Sequence, residues 1–567
     1  MAWESAYTAD YIDLLVRLKE IITGQPLVSM PVRSGIGDGI LYSLHTNPSG
    51  TPIETWAVTC TNDAVPATFS VVGSVTGATA DATVGVPYIN AALSFELLAG
   101  SVPFQVGNNF VFNTQVNPLV AAAQTWAVNR WIGTGARVIN YLVSSTYDGT
   151  GAHNGEKALS ENGGEWVSQN GAGVGAWWQV QFDKPLDIRK LSFGNYQNAD
   201  FQSPNLAPAH FAVSYSDDGS IWTVDSDFSA IPTWLYGEIR EYSTLGTGGA
   251  HKYWRITILA IQAAAYTTLR SLSLFTSDHA FNVGYYGDGY DAIFVGPGTA
   301  GGDNIFVGIR PDSYSLNGPN WIVSGSVGYS EFLDTFKQPK HCSEDFQTEI
   351  RIALYDQPMK YWIVVSGRGI AVFTRFQNIT VGGFLGYMLQ YSIPAAHQYP
   401  YPLVIAGSQV AGCIGGVPYY GWDRQDGAHR LLINPGTYYG LSWANVDVGE
   451  SAVRVYTPGN VWKQASNVLN NDSWSSGNNS LVMHPYQTDE GKSFQGVGAQ
   501  LDGQWPMAPI VIIDRQVQGS YGELEGIKHI PGVHAAEALI THEGDTWVIL
   551  NNVHRVAEND FFALRLL

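Results

Sequence analysis

Residue types able to do chemistry are present, but few stand at the spacings that chemistry needs. The 567 residues contain no HExxH helix, CxxC pair, P-loop or strand-following GxGxxG turn. They contain no GxSxG elbow to present a serine nucleophile either. His341-Cys342, beside Ser343-Glu-Asp345, places an imidazole next to a thiol. Adjacent residues on a strand point to opposite faces, so the two are not expected to work together. His484, Asp489 and Glu490 share a Pro/Gly-bounded loop that reads as solvated, not as a metal site. Cleaving a glycoside takes two carboxylates about 5–10 Å apart across a cleft, and spacing in sequence does not say which acids meet. Loops such as Gly284-Tyr-Tyr-Gly-Asp-Gly-Tyr-Asp291 offer ring faces for sugar CH groups and oxygens for hydroxyls. The same composition also suits a turn-rich protein interface. No catalytic residue, metal or cofactor is expected.

The composition narrows the partners. Lys and Arg number 29 against 49 Asp and Glu, a net charge of −20, which argues against a nucleic-acid binder. Charged residues are only 14% of the chain, while Gly (62), Tyr (30), Phe (23) and Trp (18) are abundant. That balance favours β-rich, turn-rich domains, about three or four at this length. Cys60, Cys342 and Cys413 lie far apart and form no disulfide framework or zinc site, so buried free thiols from a reducing compartment are expected. The apolar stretch Ile256 to Tyr266 is too short to span a bilayer. Glu4, Asp10 and Asp13 precede any Lys or Arg, unlike the start of an export signal. Virion components, released by lysis, combine an exterior-type composition with no export signal.

Most elements read as strands. The exception is a helix over 8–24, where Tyr11, Leu14, Leu15, Leu18, Ile21 and Ile22 make one apolar stripe, with Thr8 as N-cap and Gly24 as stop. Leu14, Leu18, Ile21 and Ile22 would either pack on their own chain or dock into a neighbouring subunit. Residues 25–45 read as loop, so 1–45 forms a helix-and-docking segment. Residues 46–119 read as a small β-sandwich. Between Ala64 and Asn129 only Asp81 and Glu96 are charged. Such a neutral surface is either covered by subunits or solvated by Ser, Thr and Asn. Residues 120–277 form a second all-β unit and 278–567 the largest β-rich block.

Within 120–277 the motifs come in a telling order: Trp166, Trp177-Trp-Gln-Val-Gln-Phe182, Tyr215-Ser-Asp-Asp-Gly, Trp222, Tyr253-Trp-Arg-Ile and Leu269-Arg-Ser-Leu-Ser-Leu-Phe275. The succession, over about 130–277, resembles the discoidin or coagulation-factor C-terminal type domain. This is the galactose-binding-like jelly roll shared with many carbohydrate-binding modules. The resemblance implies scaffold roles for Trp166, Trp178, Tyr215, Trp222 and Arg255. It implies glycan contacts from loops at one end, for which His153, Asn195, Tyr196, Phe201 and Trp234 are candidates. These residues supply stacking faces and hydrogen-bonding groups in connecting segments, but contacts to neighbouring subunits are the alternative. Many relatives hold a structural calcium in an Ala-x-Asp-Gly loop. Here Ser160 replaces the aspartate, leaving Glu156, Glu161 and Asn162 as the oxygen donors nearby.

A second resemblance covers about half the chain. The hairpin pattern from Met359 to Phe376, then Gly382-Gly-Phe-Leu-Gly-Tyr387, Gln398-Tyr-Pro-Tyr-Pro-Leu-Val-Ile-Ala-Gly-Ser408 and the closing Asp560-Phe-Phe-Ala563 resemble a family of tailed-bacteriophage virion proteins. It implies a tail, baseplate or tail-fibre-associated structural protein and does not imply catalysis; other virion subunits are the expected partners, and the discoidin-like unit would be displayed as the candidate binder of host-surface glycan. Homo-oligomers are expected, and nucleic acid and membrane insertion are not. The alternative is a glycan-binding or glycan-cleaving protein whose discoidin-like module targets a catalytic domain.

Overall fold

The computed structural model describes residues 2–566 except 48–49, 120–125, 134–137, 148–152, 160–164, 195–205, 236–237, 244–248, 263–264, 276–289, 299–303, 313–318, 331–334, 343–349, 392–402, 408, 411–452, 458, 465, 468–506, 515–518, 531–533 and 552–560. The chain is mainly β, built of antiparallel sheets, with one short α-helix, near the N-terminus, among the described residues. Among the described residues no helix is long and apolar enough to cross a membrane.

The N-terminus is a strand, not the start of the helix. Ala2–Thr8 pairs in unbroken register with Met359–Val365, from Ala2 opposite Val365 to Thr8 opposite Met359. Thr8 turns its hydroxyl to Asp13 (2.6 Å), and Asp10 takes the N-cap, accepting the backbone N–H groups of Ile12 and Asp13 at 2.8 Å. The helix runs Tyr11–Ile22. Its apolar stripe is covered by its own chain: Leu14, Leu18 and Ile21 are wholly buried and Ile22 nearly so. They share one core with Leu44, Trp321 and Ile363. Trp321 donates its indole N–H to the Tyr11 carbonyl (2.6 Å), and the Asn117 amide caps the other end at the Ile21 carbonyl (2.8 Å). The stripe is therefore not free to insert into a neighbouring subunit.

Ion pairs complete this junction. Arg17, buried in the helix, grips Glu4 of the first strand, and the Tyr361 hydroxyl donates to the same carboxylate. Beside it His45 lies between Asp13 (2.6 Å) and Glu20 (2.8 Å). Burial works against the charge on His45, but the two flanking carboxylates hold it protonated, up to about 10. Burial likewise opposes ionisation of Asp13, and His45 outweighs it, drawing that carboxyl down to about 2.

Two sheets of seven and three strands form the small sandwich. Trp56, Val58, Phe69, Val71, Phe95, Leu97, Phe110 and Phe112 fill its interior. It begins earlier than residue 46, because Leu27–Val28, Val32–Ser34 and Ile40–Thr46 are strands of its sheets. The Pro and Gly residues of 25–45 mark the turns between these short strands.

The second β unit is likewise displaced. Ala127–Gly133 does not join it but pairs with Tyr290–Pro297, within a six-stranded sheet that continues through Asn304–Asp312 and Asn320–Ser326. Trp126 anchors that strand by donating to the Ser366 carbonyl (3.0 Å). The jelly roll, from Val138 to Phe275, is thus inserted between two hydrogen-bonded neighbours, with Gly133 opposite Tyr290 at the point of departure. The hairpin of the last block forms as its pattern suggests, Met359–Val365 against Gly369–Phe376. Phe561–Arg565 pairs with both Gly519–His529 and Asp545–Asn551.

The ion pairs around the helix set a pH window. A histidine pKa raised by folding stabilises fully below 6.5 and loses that contribution as pH rises through about 10. Asp13, lowered by folding, stabilises above 3.8 and loses its contribution as pH falls through about 2. Melting temperature should therefore be highest between those limits and decline steadily on the alkaline side, and His45→Gln should flatten the alkaline limb in thermal melts of the full chain.

Candidate ligand-binding end of the jelly roll

Five strands make one sheet of the inserted unit, in the order Val138–Val143, Trp177–Leu186, His251–Ile261, Pro208–Ser216, Thr223–Phe228. Four make the other: Glu165–Val167, Thr268–Phe275, Lys190–Gly194, Ile239–Ser243. Between them pack Trp166, Trp178, Phe182, Phe193, Phe211 and Trp254, all buried. The pairings place the chain's entry and exit at one end, where Val138 faces Phe182 and Lys190 faces Phe275. At the other end lie Val143, Trp177, Pro208, Ile261, Gly194, Ile239, Val167 and Thr268.

Backbone bonds knit the loops of that far end. The Gly171 and Gly173 N–H groups donate to the Ala265 carbonyl (2.8 and 3.2 Å), and Ser168 donates to the Thr267 carbonyl (3.0 Å). The Thr267 hydroxyl reaches the Leu206 carbonyl at 3.1 Å. Tyr147 is held by its N–H on the Val167 carbonyl (2.9 Å). Its ring lies 5.3 Å from that of Tyr266 and 6.0 Å, edge to face, from the imidazole of His153.

His153 thus falls in a cluster. Its Nδ1 is 4.0 Å from the Glu165 carboxylate. Burial pushes the Glu165 carboxyl up to about 7, against the opposing pull of Arg270. The group can donate or accept a hydrogen bond near neutrality. Tyr147, about half exposed, supplies a ring face beside it. Sequence reasoning did not select Tyr147, Glu165, Tyr266 or Arg270. The signal it passed over was Glu165 directly before the scaffold residue Trp166.

The remaining candidates fare differently. Trp234 is buried, with 1% of its surface exposed. Its indole donates to the Pro208 carbonyl (3.0 Å), stacks near Phe193 (5.5 Å) and carries the Arg240 guanidinium 4.3 Å above it. It plugs the interior and is not a ligand platform. Asn195, Tyr196 and Phe201 lie outside the described residues, as do Ser160, Glu161, Asn162, His484, Asp489 and Glu490. Trp222, a scaffold position by resemblance, is half-buried on the outer sheet face. Arg255 is sandwiched between it (3.8 Å) and Trp177 (4.4 Å) and held by Gln179 (2.7 Å). A cleft of about 670 Å³ opens on the flank, between Phe228, Ile231, Glu238 and Tyr242. Arg240 in it is already clasped by Glu238 through two bonds of 2.7 Å. The Cys342 thiol packs against the Gly325 N–H (3.5 Å) and Ser324 (3.6 Å). Among the described residues no three His, Cys, Asp or Glu side chains gather as a metal site.

Residues 142–266 match the F5/8 type C domain. The match lies inside the inserted jelly roll and includes Tyr147, His153, Glu165 and Tyr266. Solved structures similar to this part of the chain include the CBM32-5 module from Clostridium perfringens in complex with GalNAc-β-1,3-galactose. It is 11% identical, with 24% of this chain and 94% of that one covered and a TM-score of 0.21. An F5/8 type C domain from Bacteroides fragilis is 14% identical, covering 25% and 96%, with a TM-score of 0.21. The family 32 module of C. perfringens NanJ, in complex with galactose, is 11% identical, covering 24% and 98%, with a TM-score of 0.19. No curated protein matches the chain.

The two kinds of aromatic residue in the F5/8 type C domain should respond differently to truncation. Trp234→Ala should cost about 3–5 kcal/mol of domain stability, whereas Tyr147→Ala should stay within about 0.5 kcal/mol, both read from denaturant unfolding followed by tryptophan fluorescence. Glu165 adds a pH test. Its pKa is raised by folding, so the neutral acid favours the fold below 4.5, and that contribution is lost as pH rises through about 7. Glu165→Gln should remove this step from the pH dependence of the domain's melting transition.

Proposed function

We propose that this chain is a non-catalytic structural subunit of a tailed-bacteriophage virion, in the tail, baseplate or a fibre-associated position, that displays its F5/8 type C domain to host-surface glycans. The observation that carries the display reading is the insertion. The domain leaves the body through two adjacent paired strands, and the cluster of Tyr147, His153, Glu165 and Tyr266 lies at the end remote from them. A ring face beside a carboxyl group and an imidazole offers a stacking surface and hydrogen-bonding groups of the kind that hold a sugar. The virion part of the reading rests on the resemblance of the hairpin Met359–Phe376 and the closing strand Phe561–Arg565 to phage structural proteins. In the fold these two pieces belong to one thirteen-stranded sheet that also takes in the N-terminal strand. The protein would be made in a host cytoplasm and released by lysis within the particle.

Two measurements test the reading separately. On a glycan array the full chain should bind a defined subset of sugars, with Tyr147→Ala lowering binding at least tenfold, about 1.4 kcal/mol. Uniform absence of signal, in monovalent and multivalent display, removes the glycan part. Antibody labelling of intact particles should place the chain on the tail, and its recovery only in soluble fractions removes the virion part.

A further inference from the structure

The small sandwich carries an apolar row on the outside of one of its sheets. Along the outer face of its seven-stranded sheet, Val32 lies opposite Val111, Val111 opposite Ala57, Ala57 opposite Val72 and Val72 opposite Ala78. These residues form one apolar row across five strands. Their neighbours in sequence, including Trp56, Val58, Val71, Phe110 and Phe112, point into the core, so the row points out. Val32 and Val72 are 68% and 37% exposed. Of the 24 exposed large hydrophobics among the described residues, 12 fall between Val32 and Val116.

Polar rows flank the apolar one, and their side chains already bond one another. Thr59 donates to Asn109 (3.2 Å), Thr55 to Asn113 (2.7 Å), and Ser70 to the Thr59 carbonyl (3.3 Å). Covering them forfeits fewer bonds to water than covering unpaired groups would. Neither the apolar row nor these flanking residues include an ionisable side chain.

We propose that this sheet face is a self-association surface, taken by the same face of a second copy of the chain. Charge selects that occupant. Each copy carries −20, so most approaches of two copies meet repulsion, and this face brings an uncharged stripe against an uncharged stripe. A two-fold axis through the row lets it cover itself, as closed dimers require. Edge pairing is the poorer route, because the outer strands Val32–Ser34 and Gly77–Ala78 are only 3 and 2 residues long. The two sheets would stack face to face at about 10 Å. Five strands at about 4.8 Å by some 20 Å of strand give roughly 400 Å² per copy. That is half the roughly 800 Å² of a standard interface, so the contact is weak in solution and gains strength where many copies are held together. The inference is independent of the glycan reading, since the jelly roll takes no part in it.

Sedimentation velocity of the full chain over a concentration series tests it. The weight-average sedimentation coefficient should rise with concentration toward a dimer. The rise should grow with added salt, which screens the repulsion between like-charged copies. Val111→Asp and Val72→Asp, each placing a charge on the row, should abolish the rise. Val32→Asp, on the edge strand, serves as a third variant that asks least of the core. An unchanged melting temperature shows that a variant has kept its fold. A wild-type chain that stays monomeric throughout overturns the proposal. So does association that persists undiminished in a folded variant.

Discussion

One buried carboxylate, that of Glu4, ties the molecule together. It receives the Arg17 guanidinium, the Tyr361 hydroxyl and the Val28 backbone N–H (2.8 Å), and so joins the first strand, the helix, the small sandwich and the hairpin of the last block. Both charges are out of water, where removing one partner of such a pair typically costs about 3–5 kcal/mol because the other is left uncompensated. Its value lies in specifying an arrangement. Only one register of Ala2–Thr8 against Met359–Val365 brings Glu4 beside both Arg17 and Tyr361. Elements separated by more than 350 residues are thereby set in place, and the apolar stripe of the helix is closed over.

The jelly roll departs from the C-terminal block between two strands paired with one another. Antiparallel neighbours running out and back to a shared point let a domain be inserted without disturbing the sheet that bears it. Trp126, held at the Ser366 carbonyl, and Asp291, bonded to Arg310 at 2.8 Å, pin the two strands that carry it. The loops gathered at the far end of the F5/8 type C domain lie at the opposite end of its strands from that point of departure.

At that far end the chemistry comes from burial as much as from residue type. Glu165 is an ordinary glutamate in sequence; its raised pKa follows from burial in the fold, which outweighs the pull of Arg270. Trp234 shows the converse. An indole in a connecting segment reads as a stacking platform, yet its N–H finds the Pro208 carbonyl and its faces find Phe193 and Arg240, so packing claims it.

By itself the sequence determined the class of the fold, the helix near Tyr11–Ile22, the jelly roll through its ordered Trp and Tyr motifs, and the hairpin over Met359–Phe376. Each of these is local: periodicity, turn residues and short motifs are written within a dozen or so neighbours. Tertiary structure decided what covers the helix stripe, that Ala2–Thr8 is a strand, and that Ala127–Gly133 pairs with Tyr290–Pro297. It also decided that Glu165 meets His153 while Trp234 turns inward. These outcomes depend on partners far away in the chain. An amphipathic stripe or an alternating strand states that one face must be buried, and carries no information about which distant surface will bury it.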